Sequence, residues 1–293
     1  MLFPDPELAG YVEVEGGRIW YRVNGADKPG APLVGIAGGP GVSHHYLLPL
    51  VTHADTRPVI LYDQLDIGNS DHPGDTKNWT VVRFTEELEH LRKALGHAAI
   101  TPVGHSWGGT LATEYALAYP EHTAELILVS PLISTTAWTA NANSLVDALP
   151  TYLRHIIADC EARGDYDDPG YAHAMEEFYK RHVWRFDVKP PEFQRAFDLF
   201  NLDLYRYMWG PSEFTVTGTL KGYDRTGDLG TLKMPTLVIG GEHDEARPET
   251  LKAIAARIAG ASHVEIKGAS HLSFLEERED FAAALRGFLT GRP

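Results

Sequence analysis

Apolar and polar positions alternate over residues 11–22, YVEVEGGRIWYR, on either side of Gly16-Gly17, which predicts a β-hairpin. Downstream the pattern changes. Short apolar runs at 32–36, 58–62, 100–103, 126–129 and 236–239 predict buried strands, and 263–266 (HVEI) predicts one more. Helical spacing separates them. Phe84, Leu88, Leu91 and Leu95 fall on one face of a helix that Gly96 stops, and further helices are expected over 110–119, 250–258 and 279–289. Strands alternating with helices build βαβ units, so the expected fold class is α/β with a mostly parallel central sheet.

The middle of the chain breaks this rhythm. Residues 133–219 contain no convincing buried strand; helices are expected over 142–149, 153–162, 172–184 and 191–204. The segment is rich in aromatic residues, among them Phe178, Trp184, Phe193, Phe200, Trp209 and Phe214, most of which are expected to form its own core. It reads as a helical cap domain, 133–219, inserted into a discontinuous core domain of 1–132 and 220–293.

Composition narrows the function. The 293 residues are 43% apolar and 23% charged, with a formal charge of −14. An acidic surface suits neither nucleic-acid phosphates nor an anionic membrane, so neither is an expected partner. Cys160 is the only cysteine, which excludes an internal disulfide and multi-cysteine zinc sites. The start of the chain carries no basic leader, and no apolar run reaches the roughly 20 residues of a membrane span. A cytoplasmic protein is expected.

Candidate chemistry sits at the ends of the expected strands. Gly104-His105-Ser106-Trp107-Gly108 matches G-x-S-x-G between a strand and a helix, the setting of a nucleophile elbow. A serine hydroxyl needs a base to take its proton and an acid to orient that base. On this architecture the chain order is serine, acid, histidine. Asp244 follows one strand, 138 residues after Ser106, and His271 follows the next, 27 residues later. Glu242 and Glu245 compete with Asp244, and His243 and His263 compete with His271. The Glu242-His243-Asp244-Glu245 cluster has no second half elsewhere, so no metal is expected. The oxyanion of a tetrahedral intermediate needs two donors: the Trp107 N–H and, from the Gly38-Gly39-Pro40-Gly41 loop, the Gly39 N–H. Such donors are worth about 3 kcal/mol each. Neither G-x-x-x-x-G-K-[ST] nor G-x-G-x-x-G is present in that loop, so no nucleotide and no other cofactor is expected.

These motifs resemble the α/β-hydrolase fold and, more narrowly, the proline iminopeptidase family of serine peptidases. Gly38-Gly39-Pro40-Gly41 resembles the family's HGGPG loop, and Asp63-Gln64 the start of its DQRGxGxS segment. The run from Gly104 to Gly109 resembles GxSWGG, Gly210-Pro211-Ser212-Glu213-Phe214 resembles the cap segment GPxEF, and Gly241 to Glu245 a G-x-x-D-E loop. The resemblance implies a triad of Ser106, Asp244 and His271 and release of an N-terminal residue. It also implies that Glu213 and Glu245 grip the substrate's free α-ammonium. Two departures stand out. Ala37 replaces the loop histidine, and Leu65 and Asp66 replace the arginine and first glycine of DQRGxGxS. They bear on substrate more than on reaction type. Related L-amino-acid amidases and biosynthetic amidohydrolases cleave an aminoacyl group from a small molecule, so the expected partner is a small peptide or an aminoacylated small molecule. A carboxylesterase on the same fold would have no use for the glutamate pair. A non-catalytic binding protein would have no use for the triad and its oxyanion loop.

Overall fold

The computed structural model describes residues 3–291. Strands β1 (Leu8–Val14) and β2 (Gly17–Asn24) form the antiparallel hairpin, with Val14 opposite Gly17. They are followed by β3 (Leu33–Ile36), β4 (Val59–Tyr62), β5 (Thr101–His105), β6 (Leu126–Val129), β7 (Thr236–Gly241) and β8 (Ser262–Ile266). The eight strands make one sheet in the order β1-β2-β4-β3-β5-β6-β7-β8. β2 meets β4 antiparallel, and every later pairing is parallel. β3 to β7 are buried throughout, as expected of unbroken apolar runs covered on both faces.

One face carries α1 (Val81–Ala94), α2 (Trp107–Ala118) and α8 (Pro248–Arg257). The other carries the 3₁₀ segment His44–His53, α9 (Ser273–Glu276) and α10 (Arg278–Leu289). No described helix is long and apolar enough to cross a membrane. Between β6 and β7 run α3 (Thr135–Asp147), α4 (Thr151–Arg163), α5 (Pro169–His182), α6 (Pro191–Asp198) and α7 (Leu202–Met208).

The structure corrects two expectations here. The single helix expected over 191–204 is two, α6 and α7, broken at Asn201. That residue caps α7 by accepting the Leu204 N–H at 3.0 Å, while its Nδ2 donates to the Asp66 carbonyl and its backbone N–H to Gly41. These ties to the core outweigh the apolar periodicity. The aromatics also divide differently. Phe178 and Phe214 join the inserted helices' own core with Leu153 and Ile157. Trp209 joins the core on the α1–α2 face, and Trp184 and Phe193 join the opposite one.

The altered segment after β4 is held by buried polar contacts. Asp66 adopts φ 67°, in the left-handed region where the family pattern has glycine, and accepts the Trp79 indole N–H at 2.7 Å. Leu65 is fully buried, and its N–H donates to Glu87 Oε2 at 3.2 Å. The other Glu87 oxygen and the nearby Tyr62 hydroxyl are buried without partners. Burial pushes the Glu87 carboxyl up to about 8. Its folded pKa lies above its unfolded value of about 4.5, so the stability this neutral group contributes is complete below that value and is lost as pH rises through 8. Glu87→Gln keeps the acceptor for Leu65 and removes the ionisation. Thermal melts should show little difference from wild type at pH 5 and a variant several degrees more stable at pH 9; equal midpoints at both pH values would contradict a neutral Glu87.

Candidate active site

Ser106 sits at the turn from β5 into α2 with φ 55° and ψ −118°, a sparsely populated conformation for a residue with a Cβ. Close approach fixes the glycines around it. A Cβ on Gly104 would lie 2.2 Å from the Gly108 carbonyl, and one on Gly108 2.1 Å from the Ile36 carbonyl. α2 can therefore start directly under β3 only if both positions lack side chains. The low helix propensity of this glycine-rich turn also hides the true helix start, Trp107, from periodicity alone. The Ser106 hydroxyl makes no hydrogen bond among the described residues.

β7 and β8 deliver Asp244 and His271 to the same chamber. His271 Nδ1 lies 2.8 Å from Asp244 Oδ1. The carboxylate also accepts from the Ala246 and Gly241 amides and from the Ser130 hydroxyl. Burial opposes the Asp244 charge, but the His271 ring and these donors hold its pKa below the ordinary value. Burial also opposes a charged His271, yet Asp244, Glu245 and Glu213 outweigh it and push the ring up to about 9. Ser130 was not singled out in the sequence. Its signal is positional: it directly follows β6, as Ser106 directly follows β5, and shares its positive φ, 47°. Of the competing residues, Glu242 and His243 are partly exposed beside each other and His263 lies within β8, whereas Glu245 enters the chamber but faces His271 Nε2 rather than Nδ1.

The Gly39 and Trp107 amides donate to nothing among the described residues. Trp107 is the first residue of α2, where an N–H has no intrahelical acceptor. Its indole donates to Gln64 Oε1 at 3.2 Å, and Gln64 Nε2 donates to the Ala37 carbonyl. Ala37, in the histidine's place, is therefore a buried anchor for the loop.

A further buried chain links this loop to His271. The Gly38 N–H can only donate, so Tyr46 Oη accepts it at 2.6 Å and passes its own proton toward His105 Nδ1 at 2.9 Å. The His105 ring is neutral, because burial and the neighbouring His271 hold it well below its ordinary pKa. Its remaining proton is on Nε2, which donates to the His271 carbonyl at 3.0 Å. Neither Tyr46 nor His105 had a sequence signal beyond its place in a motif-bearing loop.

The two glutamates enter from opposite sides. Glu213, just after α7, accepts the Tyr205 hydroxyl at 2.9 Å. Glu245 is buried, with Oε1 3.5 Å from His271 Nε2 and Oε2 without a partner. Burial raises both carboxyls above their ordinary range, and the Glu213 charge raises Glu245 further. The last carbonyl of α5, at His182, accepts the N–H groups of both Glu245 and His271, so the inserted helices are stitched to both loops. All seven residues singled out from the sequence converge here, and Ser106, Gly39, His271, Glu213 and Glu245 line a cavity of about 680 Å³. Its walls include Trp138, Tyr179, Trp184, Phe193, Phe200 and Trp209.

Comparison with known proteins agrees with this fold. The alpha/beta hydrolase fold family matches residues 31–278. A proline iminopeptidase of Heyndrickxia coagulans is 38% identical over 282 residues, covering 96% of this chain and 98% of the relative. The crystal structure of VinJ superposes with a TM-score of 0.93 at 34% identity, covering 99% of this chain and 100% of that one. The proline iminopeptidase of Mycobacterium smegmatis gives a TM-score of 0.89 at 33% identity, covering 97% and 98%.

Tyr46→Phe should leave the Gly38 N–H and His105 Nδ1 unpaired in a buried setting, at a cost of about 1–3 kcal/mol. Urea denaturation should show a lower midpoint with an unchanged slope, and labelling of Ser106 by a fluorophosphonate should slow. An unchanged midpoint and labelling rate would refute the chain of bonds.

Proposed function

The chain belongs to the α/β-hydrolase fold family and, within it, to the proline iminopeptidases, and on that footing we propose that it cleaves the amide bond after a residue bearing a free α-amino group. Ser106 Oγ attacks the carbonyl carbon while His271 Nε2 takes its proton, and Asp244 holds the Nδ1–H and balances the imidazolium. The Gly39 and Trp107 amides receive the oxyanion. The C–N bond breaks as His271 returns the proton to the leaving amine. Water, deprotonated by the same ring, then releases the acyl group from Ser106.

The observation that carries this reading is the pair of carboxylates, buried Glu245 and half-buried Glu213, lining the same cavity as Ser106 and His271. Two desolvated acids in one chamber need a cation, and an α-ammonium supplies one with several N–H donors. A neutral ester would leave both uncompensated, which argues against the carboxylesterase alternative. The acidic chain and its single, buried Cys160 suit a reducing cytoplasm.

A second reading concerns the leaving group. A cavity of about 680 Å³ with aromatic walls is far larger than one amino-acid side chain requires, and it suits a drug-sized apolar body. That favours an aminoacylated small molecule beside short peptides as substrate, as in the biosynthetic amidohydrolases.

Rates on alanine and proline p-nitroanilides, each with a free and an acetylated amine, test the reading with Ser106→Ala as blank. Free-amine substrates alone should be cleaved. Glu213→Gln should raise KM for them by about tenfold or more, the scale of a lost charge-assisted hydrogen bond. Equal effects on free and acetylated substrates would sink the anchor assignment.

A further inference from the structure

The ring nitrogen that must receive the Ser106 proton is turned to a carboxylate at ion-pair distance. His271 Nδ1 is committed to Asp244, and Nε2 faces Glu245 Oε1 at 3.5 Å, while the Ser106 hydroxyl makes no hydrogen bond among the described residues. Glu245 is fully enclosed, its second oxygen has no partner, and its backbone is pinned to the His182 carbonyl. It has few alternatives to His271. We propose that the substrate's α-ammonium is a switch as well as a handle: by engaging Glu245 it releases His271 Nε2 to Ser106, so that the general base is assembled only when a free amine is bound. This rests on the reading of Glu213 and Glu245 as the amine site.

One proton is shared between the two groups. On Nε2 it makes an imidazolium that cannot accept another proton; on Oε1 it makes a carboxylic acid that faces the Nε2 lone pair. Either way Nε2 is directed at Glu245, while no hydrogen bond joins it to Ser106 among the described residues. The remaining groups around the ring do not alter this. Asp244 and Glu213 favour the imidazolium, and the His105 ring, tilted against it at 4.6 Å, is neutral. Trp138 presents an uncharged ring at 5.6 Å. His182 touches His271 through its carbonyl, and burial keeps its own ring below the ordinary pKa. Glu276 on α9 is held by the Ser270 and Arg185 amides. The elevated His271 pKa agrees with a ring charged at neutral pH.

The step balances. The free site holds one proton between His271 and Glu245. When R–NH₃⁺ enters, its positive charge replaces that proton against Glu245, the ring becomes neutral, and one proton leaves to solvent. No bond to carbon forms or breaks until Ser106 attacks. Selection for a free amine then acts on kcat as well as on KM, because an amine-free substrate can bind and still meet a base that is engaged elsewhere.

Hydrolysis of p-nitrophenyl acetate, which has no amine, tests this with the whole protein. Ethylammonium chloride, added against sodium chloride at equal ionic strength, should accelerate wild-type hydrolysis saturably, by roughly a hundredfold, the lower end of the range of general-base catalysis. The pH–rate curve should shift toward lower pH in its presence. Glu245→Gln should hydrolyse the ester faster than wild type without ethylammonium and should not respond to it. Inhibition, or no effect, on wild type would overturn the switch, and the wild-type titration decides even if the variant does not fold. Continued preference for free over acetylated anilides would then leave the amine-site reading standing; loss of that preference would remove both.

Discussion

Two buried carboxylates, Asp244 and Glu245, and a half-buried third, Glu213, gather around the His271 imidazole, and much of the molecule is arranged to make that tolerable. Asp244 is satisfied by the Ser130 hydroxyl, two backbone amides and His271. Glu213 keeps one hydroxyl partner, Tyr205, and Glu245 keeps little but the ring. An isolated ion in such a place costs several kcal/mol, so the chamber is stable with protons shared or with a cation bound. Charge left uncompensated in the free protein is what makes an ammonium group a matching ligand.

The fold supplies the rigidity this charge cluster needs. Ser106, Ser130, Asp244 and His271 follow four neighbouring parallel strands, β5, β6, β7 and β8, so one sheet sets their spacing. The inserted helices close over them through apolar packing against both sheet-face cores and a few polar ties. The His182 carbonyl holds the Asp244 and His271 loops together, and Asn201 ties α7 to Gly41 and Asp66. The opposite wall is fixed by the Gly38–Tyr46–His105–His271 chain, which couples the glycine loop after β3 to the backbone of His271.

The departures from the family pattern have local consequences. Ala37 gives up a side chain but keeps its carbonyl at work on Gln64. Asp66 takes over a left-handed position and turns its carboxylate to Trp79. Leu65 buries apolar surface where the pattern has an arginine, which leaves Glu87 in the interior with only a backbone partner. None of these residues lines the cavity, whereas the cap aromatics do. The altered segment therefore shapes the core beneath the site, and the cavity is walled by the inserted helices together with the glycine loop.

The strands and the motif-bearing loops were legible in the sequence because they obey local rules. A buried parallel strand must be apolar throughout, and the turn at Ser106 admits only glycine at Gly104 and Gly108, whatever lies beyond. Chain order singled out Ser106, Asp244 and His271 as candidates, since each stands just past a strand end. What lay outside local rules was decided by contacts between distant segments. The break at Asn201, the partition of the cap aromatics between three cores, and the roles of Tyr46, His105, Ser130 and His182 depend on partners far away in the chain. So does the facing of Glu245 onto His271 Nε2, which no spacing encodes: periodicity reports which side of an element is buried, and only the assembled structure says which group it is buried against.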